Sequence, residues 1–251
     1  MTEIRLKLNP KNTGHLLACY GVFEIAHQLK PDGSVMAHFC QEDTEFVIAK
    51  AERDLRGILT ALRDAQLSVD KQTEAISLQL PGCSDPLVLN WWVADNSLKT
   101  WAGQQKIDKI VPLLTKALGD YPADRSPADI FNWGVSLRDD KGEATAATAF
   151  DTRLRRLTSI DIGFSMNDQG LKPTVYPAVE FFALVGIQRF RPIGDNTRKR
   201  CFTWSQPLPI LIASLTDERL WFVERRAYSF SIQSRDEGKR YKALGQSQVI
   251  E

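Results

Sequence analysis

Residues 16–26 read LLACYGVFEIA and residues 179–192 read VEFFALVGIQRFRP. In both, two large apolar residues are followed by Ala, two further residues, Gly and a β-branched residue. Helical spacing puts Ala18 with Gly21, and Ala183 with Gly186, on one face. Small residues let a second backbone approach closely, so each helix is expected to pack tightly across a sheet. Two such helices predict two α+β halves. The second helix also ends abruptly in Gln188-Arg189-Phe190-Arg191-Pro192, passing from apolar to cationic within one turn.

Around these helices the pattern is mixed. Residues 4–8 alternate as a strand, Asn9-Pro10 ends it, and Asn12 or Thr13 can cap a helix over about 14–29. A hairpin is predicted over 34–49, with strands at 36–39 and 46–49. An amphipathic helix is predicted over 50–67, with Leu55, Ile58, Leu59 and Leu62 on one face. Strands follow at 76–80 and 87–93, then a helix over 104–118 interrupted near Pro112. The stretch GDYPADRSPA (119–128) reads as a boundary. Beyond it, strands are predicted at 133–137, 158–164, 200–204 and within 219–233. A helix is predicted over 177–190 with Pro177 in its first turn, and the polar tail from Asp236 is expected to be loosely ordered. The fold class is therefore α+β: two packed, sandwich-like α/β halves, residues 1–120 and 121–251. The strand–helix–hairpin–helix–strand order of residues 4–93 points to a ferredoxin-like (RRM-like), duplicated architecture.

The chain has 251 residues and a formal net charge of +1, so no global field marks a nucleic-acid binder. The charge is unevenly spread. Residues 151–251 hold 16 Lys plus Arg against 11 Asp plus Glu, and 12 of those cations are Arg. Residues 1–150 hold 16 against 20, with only 6 Arg. Arg presents a planar fork suited to phosphate, so the second half is the one to search for polyanion contacts. The four cysteines, Cys19, Cys40, Cys83 and Cys201, form no CxxC pair, and no zinc site is expected. No secretory leader is read in MTEIRLKLNP and no apolar run reaches bilayer length. Reduced cysteines in the cytoplasm, away from a membrane, are the expectation.

Motifs for catalysis are missing. There is no GxxxxGK[ST], no GxGxxG after a strand, no HExxH and no GxSxG. The three histidines, His15, His27 and His38, are too scattered for a shared ligand, and Asp139-Asp140 reads as a turn. No catalytic residue, metal or cofactor is expected, and the chain is read as not an enzyme.

Cationic runs are better developed. DTRLRR (151–156) supplies Arg153, Arg155 and Arg156, and RFRPIGDNTRKR (189–200) supplies Arg189, Arg191, Arg198, Lys199 and Arg200. The second run, with Phe190, Gly194 and Asn196 between its charges, reads as a loop able to wrap a nucleic-acid backbone. Arg225-Arg226 and Lys239-Arg240-Lys242 add to it. In LKTWAGQQ (98–105), Thr100 and Gln104 can form a capping box with Trp101 as a packing residue. Alternatively, Gln104 and Gln105 are ligand-binding groups at an exposed helix start.

Four stretches taken in order, NPKNTGHLLACYGVFEIA (9–26), LKTWAGQQ (98–105), IDIGFSMND (160–168) and YPAVEFFALVGIQRFRP (176–192) followed by FTWSQPLP (202–209), resemble a CRISPR-associated family of type I-G (formerly type I-U) systems. Its members look like compact large-subunit-type components of the Cascade surveillance complex. The resemblance spans residues 9 to about 209. It implies a non-catalytic subunit that sits with Cas-five- and Cas-seven-type proteins on a guide RNA. Such a subunit helps recognise the protospacer-adjacent motif on target DNA, and a separate helicase-nuclease cuts. In such systems guide pairing reads sequence while protein reads a short motif and backbone shape. The alternatives are a scaffold subunit held by protein contacts alone, and a metal-dependent nuclease.

Overall fold

The computed structural model describes residues 2–70, 72–101, 106–138, 148–157, 174–215, 223–234 and 242–250, the last three of 148–157 as backbone only. Strand β1 (Thr2–Lys7) buries Ile4 and Leu6 between exposed neighbours, the period-two pattern of a half-buried strand. Helix α1 (Thr13–Leu29) starts where the Asn12 side chain accepts from the Gly14 N–H, satisfying a donor of the first turn. Strands β2 (Met36–Cys40) and β3 (Glu45–Ala51) form the expected hairpin. Because β3 runs on to Ala51, the helix predicted over 50–67 shortens to α2 (Leu55–Arg63). Its apolar stripe is buried as expected, and Asp54 caps it by accepting from the Gly57 N–H at 2.7 Å.

Strands β4 (Gln66–Val69), β5 (Ile76–Gln79) and β6 (Leu87–Leu89) make a separate antiparallel sheet. The short α3 (Trp91–Ala94) precedes α4 (Ile107–Gly119). Helix α4 is preceded by Lys106 at its N-cap, so Thr100 does not cap it. Where a strand was predicted at 133–137, a 3-10 turn (Pro127–Asn132) is followed by an isolated bridge from Val135 to Val175. Helix α5 (Pro177–Arg189) has Pro177 in its first turn, as predicted. Beyond it come β7 (Ile193–Gly194), β8 (Arg198–Trp204), β9 (Leu208–Pro209), α6 (Ile210–Ala213), β10 (Arg225–Ser234), β11 (Lys242–Leu244) and β12 (Gln248–Val249). The strand predicted at 158–164 and the Asp139-Asp140 turn lie outside the described residues.

The two glycine-bearing helices pack on each other, not each across a sheet. A Cβ built on Gly21 would stand 1.8 Å from the Phe182 carbonyl oxygen, and one on Gly186 would stand 2.2 Å from that of Leu17. The echo in the sequence is thus the two sides of one seam. Contacts advance together along both helices: Gly14 faces Val179, Gly21 faces Phe182, and Glu24 meets Arg189. Helices α1 and α5 therefore run parallel.

Strand order β1-β3-β2, with α1 crossing over, is half of a ferredoxin-like arrangement. The other half is not found among the described residues. Strand β4 begins just after the short α2 and joins its own sheet, the 127–132 turn packs against β1, and β9 extends the β2 edge. Strands β11-β10-β8-β7 form the next sheet, with no strand of it leading into α5 among the described residues. The fold is α+β, and the described residues do not complete a ferredoxin-like duplication. Residues from both sides of position 120 share one apolar cluster. At its centre Tyr20, Phe39, Phe46, Phe190 and Trp204 interlock, with Tyr20 and Phe190 stacked at 4.7 Å. The Trp204 indole N–H donates to the Ala37 carbonyl, tying β8 to β2.

Candidate nucleic-acid interface

A parallel helix pair gathers two positive N-terminal dipole ends at one side of the molecule and two negative ends at the other. Acidic side chains are buried near both ends, each held by partners. At the N-terminal side, Glu180 in the first turn of α5 is fully buried and accepts from the Thr148 hydroxyl and from the Phe150 and Asp151 N–H groups. Asp151, also fully buried, accepts from the Asn12 amide at 2.9 Å and from the Arg153 guanidinium. Arg153 further donates to the Phe131 carbonyl and lies 3.3 Å over the Tyr176 ring. The Asn9 N–H donates to His15 Nδ1, and His15 Nε2 lies 3.2 Å from the Arg153 guanidinium and 4.0 Å from Asp151. Burial pushes the Glu180 carboxyl up to about 7, against the bonds from Thr148, Asp151 and Phe150. Burial also pulls His15 down to about 4, Asp151 opposing and Arg153 assisting. This knot holds the loop 148–153 onto both helix starts.

At the opposite end, Arg189 closes the last turn of α5. Its guanidinium makes a two-point contact with the buried carboxylate of Glu24 on α1. Phe190 plugs into the aromatic core, and the chain then reverses. The run 189–200, expected as a wrapping loop, is instead a tight hairpin of β7 and β8. Asp195 makes its turn by accepting from Thr197 N–H and hydroxyl and from Arg198 N–H, bonds that hold its carboxyl down at about 2. Gly194 has φ +140°, and a Cβ there would lie 2.3 Å from the Arg198 carbonyl oxygen; only glycine fits that crossing.

Strand alternation then sorts the cations of β8. Arg198, Arg200 and Phe202 share one face, while Lys199, Cys201 and Thr203 share the other. Arg198 is exposed and Arg200 partly so. Lys199 is only 4 % exposed, with Nζ 3.4 Å from both Asp95 and the Gly194 carbonyl. Between α5, the hairpin and α6 lies a cleft of about 240 Å³. Arg189, Arg191 and Arg200 line it, Tyr20, Phe190, Cys201 and Phe202 form much of its wall, and Ile193 and Ser214 complete it with Pro192. Among the described residues no carboxylate belongs to this lining.

The sequence-selected residues thus fall into four groups. Arg189, Arg191 and Arg200 converge on the cleft, with Arg198 exposed on the same strand. Arg153 and Lys199 make internal ties: each sits against a carboxylate and a carbonyl group inside the fold. Arg155 and Arg156 belong to the 3-10 segment Thr152–Leu157, where only the backbone is described, so the extended geometry expected for them is replaced by helical turns. Gln104 and Gln105, like Lys239 and Arg240, lie outside the described residues. Trp101 is buried against Trp91 and Trp92, as a packing residue. Arg225 stacks over Phe202 at 5.1 Å, Arg226 stands 3.5 Å from Asp43, and Lys242 donates to the carbonyls of Asn96 and Ser97.

The knot itself was not read from the sequence. Its signal was Glu180 inside an otherwise apolar helix, as Glu24 is inside α1; a buried acid requires partners. Among the described residues no group of three or more His, Cys, Asp or Glu side chains is placed to hold a metal ion, and no helix is long and apolar enough to cross a membrane. No family model matches the chain, and no curated protein or solved structure matches it either.

Proposed function

We propose that the chain is a non-catalytic, cytoplasmic subunit of a type I CRISPR RNA-guided surveillance complex, contacting guide RNA or target DNA. The observation that carries the nucleic-acid part is the convergence of Arg189, Arg191 and Arg200 on one cleft with no carboxylate among its described lining residues. Arg forks fit phosphate oxygens two at a time, and a concave cationic wall suits a charged backbone. The exposed Arg198 on the same strand extends the cationic edge. The surveillance-complex part rests on the resemblance of residues 9–209, and its partners are Cas-five- and Cas-seven-type subunits with a separate helicase-nuclease. Recognition of the protospacer-adjacent motif belongs to the same proposal.

Co-expression with those neighbours tests it. The chain is expected to co-purify with them and with guide RNA, and ultraviolet crosslinking is expected to attach nucleic acid to peptides covering 189–200. A chain that assembles but never crosslinks supports the second reading, a scaffold subunit. That reading is favoured by Leu211, Ile212 and Leu215, an exposed apolar strip on and beside α6 of the kind that protein partners cover.

A further inference from the structure

We propose that residues 148–152 form a strap that opens and closes as one unit over the starts of α1 and α5, with the Glu180 side chain as its latch.

Side chains hold the strap. The N–H groups of Phe150 and Asp151 donate to the two oxygens of Glu180, at 3.0 and 2.9 Å. The Thr148 hydroxyl donates to the same oxygen as Phe150, at 2.5 Å. The Thr152 N–H donates to the Asn12 side chain at 3.1 Å, and the Asn12 amide donates in turn to Asp151 at 2.9 Å. Three successive backbone donors therefore rest on a carboxylate of α5 and on the cap residue of α1, where a strand would give its donors to a ladder. One carboxylate takes three of these bonds, so they form and break together.

The backbone of the strap works against that hold. Ala149 stands at φ +60°, a left-handed conformation that costs energy for any residue with a Cβ. Its neighbours on both sides are bound to Glu180, so the strain persists only while the latch is made. An open strap is free of it. All five residues are buried while the strap is closed. The Phe150 ring lies 6.5 Å from that of Trp91, and its carbonyl oxygen would stand 2.6 Å from a Cβ built on Gly14. Opening thus uncovers Gly14, Glu180 and the Asn12 cap in one step. The seam at Gly21 and Gly186 lies about two turns further along, and the two helices make it by themselves. A segment tied in this way opens at a lower free energy than the helices beneath it. The device is independent of what the arginine cleft binds.

Native-state hydrogen exchange of the full chain, read amide by amide by NMR at several low urea concentrations, tests this. The N–H groups of Phe150, Asp151 and Thr152 are expected to share one opening equilibrium. It should lie at least about tenfold above that of Phe23 and Val185 inside the helices, with a small urea dependence, because little surface is exposed. Glu180→Gln sets an amide donor among three donors and is expected to lower the protection of all three together by about tenfold. Thr148→Val removes one bond to the latch and is expected to lower it about fivefold; it serves where Glu180→Gln does not fold. Exchange of the three amides in step with Phe23 and Val185, at the same urea dependence, would show that the strap opens only with the whole fold and overturn the proposal. A Thr148→Val protein in which one of the three amides changes alone would overturn it too, because the strap would then not move as a unit.

Discussion

The start of the helix pair and the hairpin that follows its end use arginine in opposite ways. Arg153 is drawn inward: Asp151, the Phe131 carbonyl and the Tyr176 ring surround its guanidinium. Arg198 stands exposed on β8, and the acid nearest in sequence, Asp195, is committed to backbone and hydroxyl groups of its own turn. Composition counts both residues alike. What separates them is what the packing of α1 and α5 brings together: Asp151 and Glu180 are buried at the helix starts and Asp151 takes Arg153, while Arg198 lies beyond the end of α5 at an exposed strand position. An Arg-rich half is therefore two populations, one holding the fold and one available to a ligand.

The comparison breaks first at Arg153. Its removal leaves Asp151 buried without its cation, and loss of one partner of a buried pair costs about 3–5 kcal/mol. Arg153 is itself about a third exposed, so Arg153→Ala is expected near the lower end, about 3 kcal/mol. Urea unfolding measures it through the midpoint at constant slope. A loss under about 1 kcal/mol would show that Asn12 and the backbone alone sustain Asp151, and the contrast with Arg198 would lose its basis.

Titration sharpens the knot from another side. Glu180 in the folded chain sits at about 7, above its ordinary 4.5, so its contribution to stability is full below pH 4.5 and is lost as pH rises to 7. His15 sits at about 4, below its ordinary 6.5, so its contribution is full above pH 6.5 and is lost as pH falls to 4. The two slopes oppose each other between pH 4.5 and 6.5 and largely cancel. Glu180→Gln removes one of them. Its stability, followed by urea unfolding at several pH values, is expected to climb with pH across that window by roughly 1 kcal/mol per pH unit, relative to the unmodified chain. A difference that stays level with pH would place Glu180 at an ordinary value, outside the knot's proton balance.

Much of this was legible before any coordinates. The helices at 13–29 and 177–189, the β2–β3 hairpin and the Asn12 cap follow from local periodicity and side-chain chemistry. The Gly21 and Gly186 repeat announced a close approach but not what would approach, because pairing between distant helices leaves no local trace. Likewise Thr-Arg-Lys-Arg at 197–200 gave no sign that Lys199 faces inward. Only the strand's period, and the arrival of Asp95 from far along the chain, divides it from its neighbours. The Pro127–Asn132 turn was missed for a related reason: the apolar residues after the prolines suit a strand, and their packing against β1 decides otherwise.

The smallest expected change in stability is at Arg198, and it completes the contrast. The side chain is exposed, and its backbone N–H, which Asp195 accepts from, survives substitution. Arg198→Ala is therefore expected to shift unfolding free energy by less than about 0.5 kcal/mol. Its charge should count only toward a polyanion. If a strand running through the cleft continues along β8, the variant reduces the slope of log affinity against log salt by about one phosphate contact, with a uniform loss across sequences. The measurement is anisotropy at several salt concentrations beside a urea melt of the same protein. A melt that drops as far as that of Arg153→Ala would make Arg198 another internal tie. An unchanged melt with an unchanged salt slope would take Arg198 out of the cationic edge.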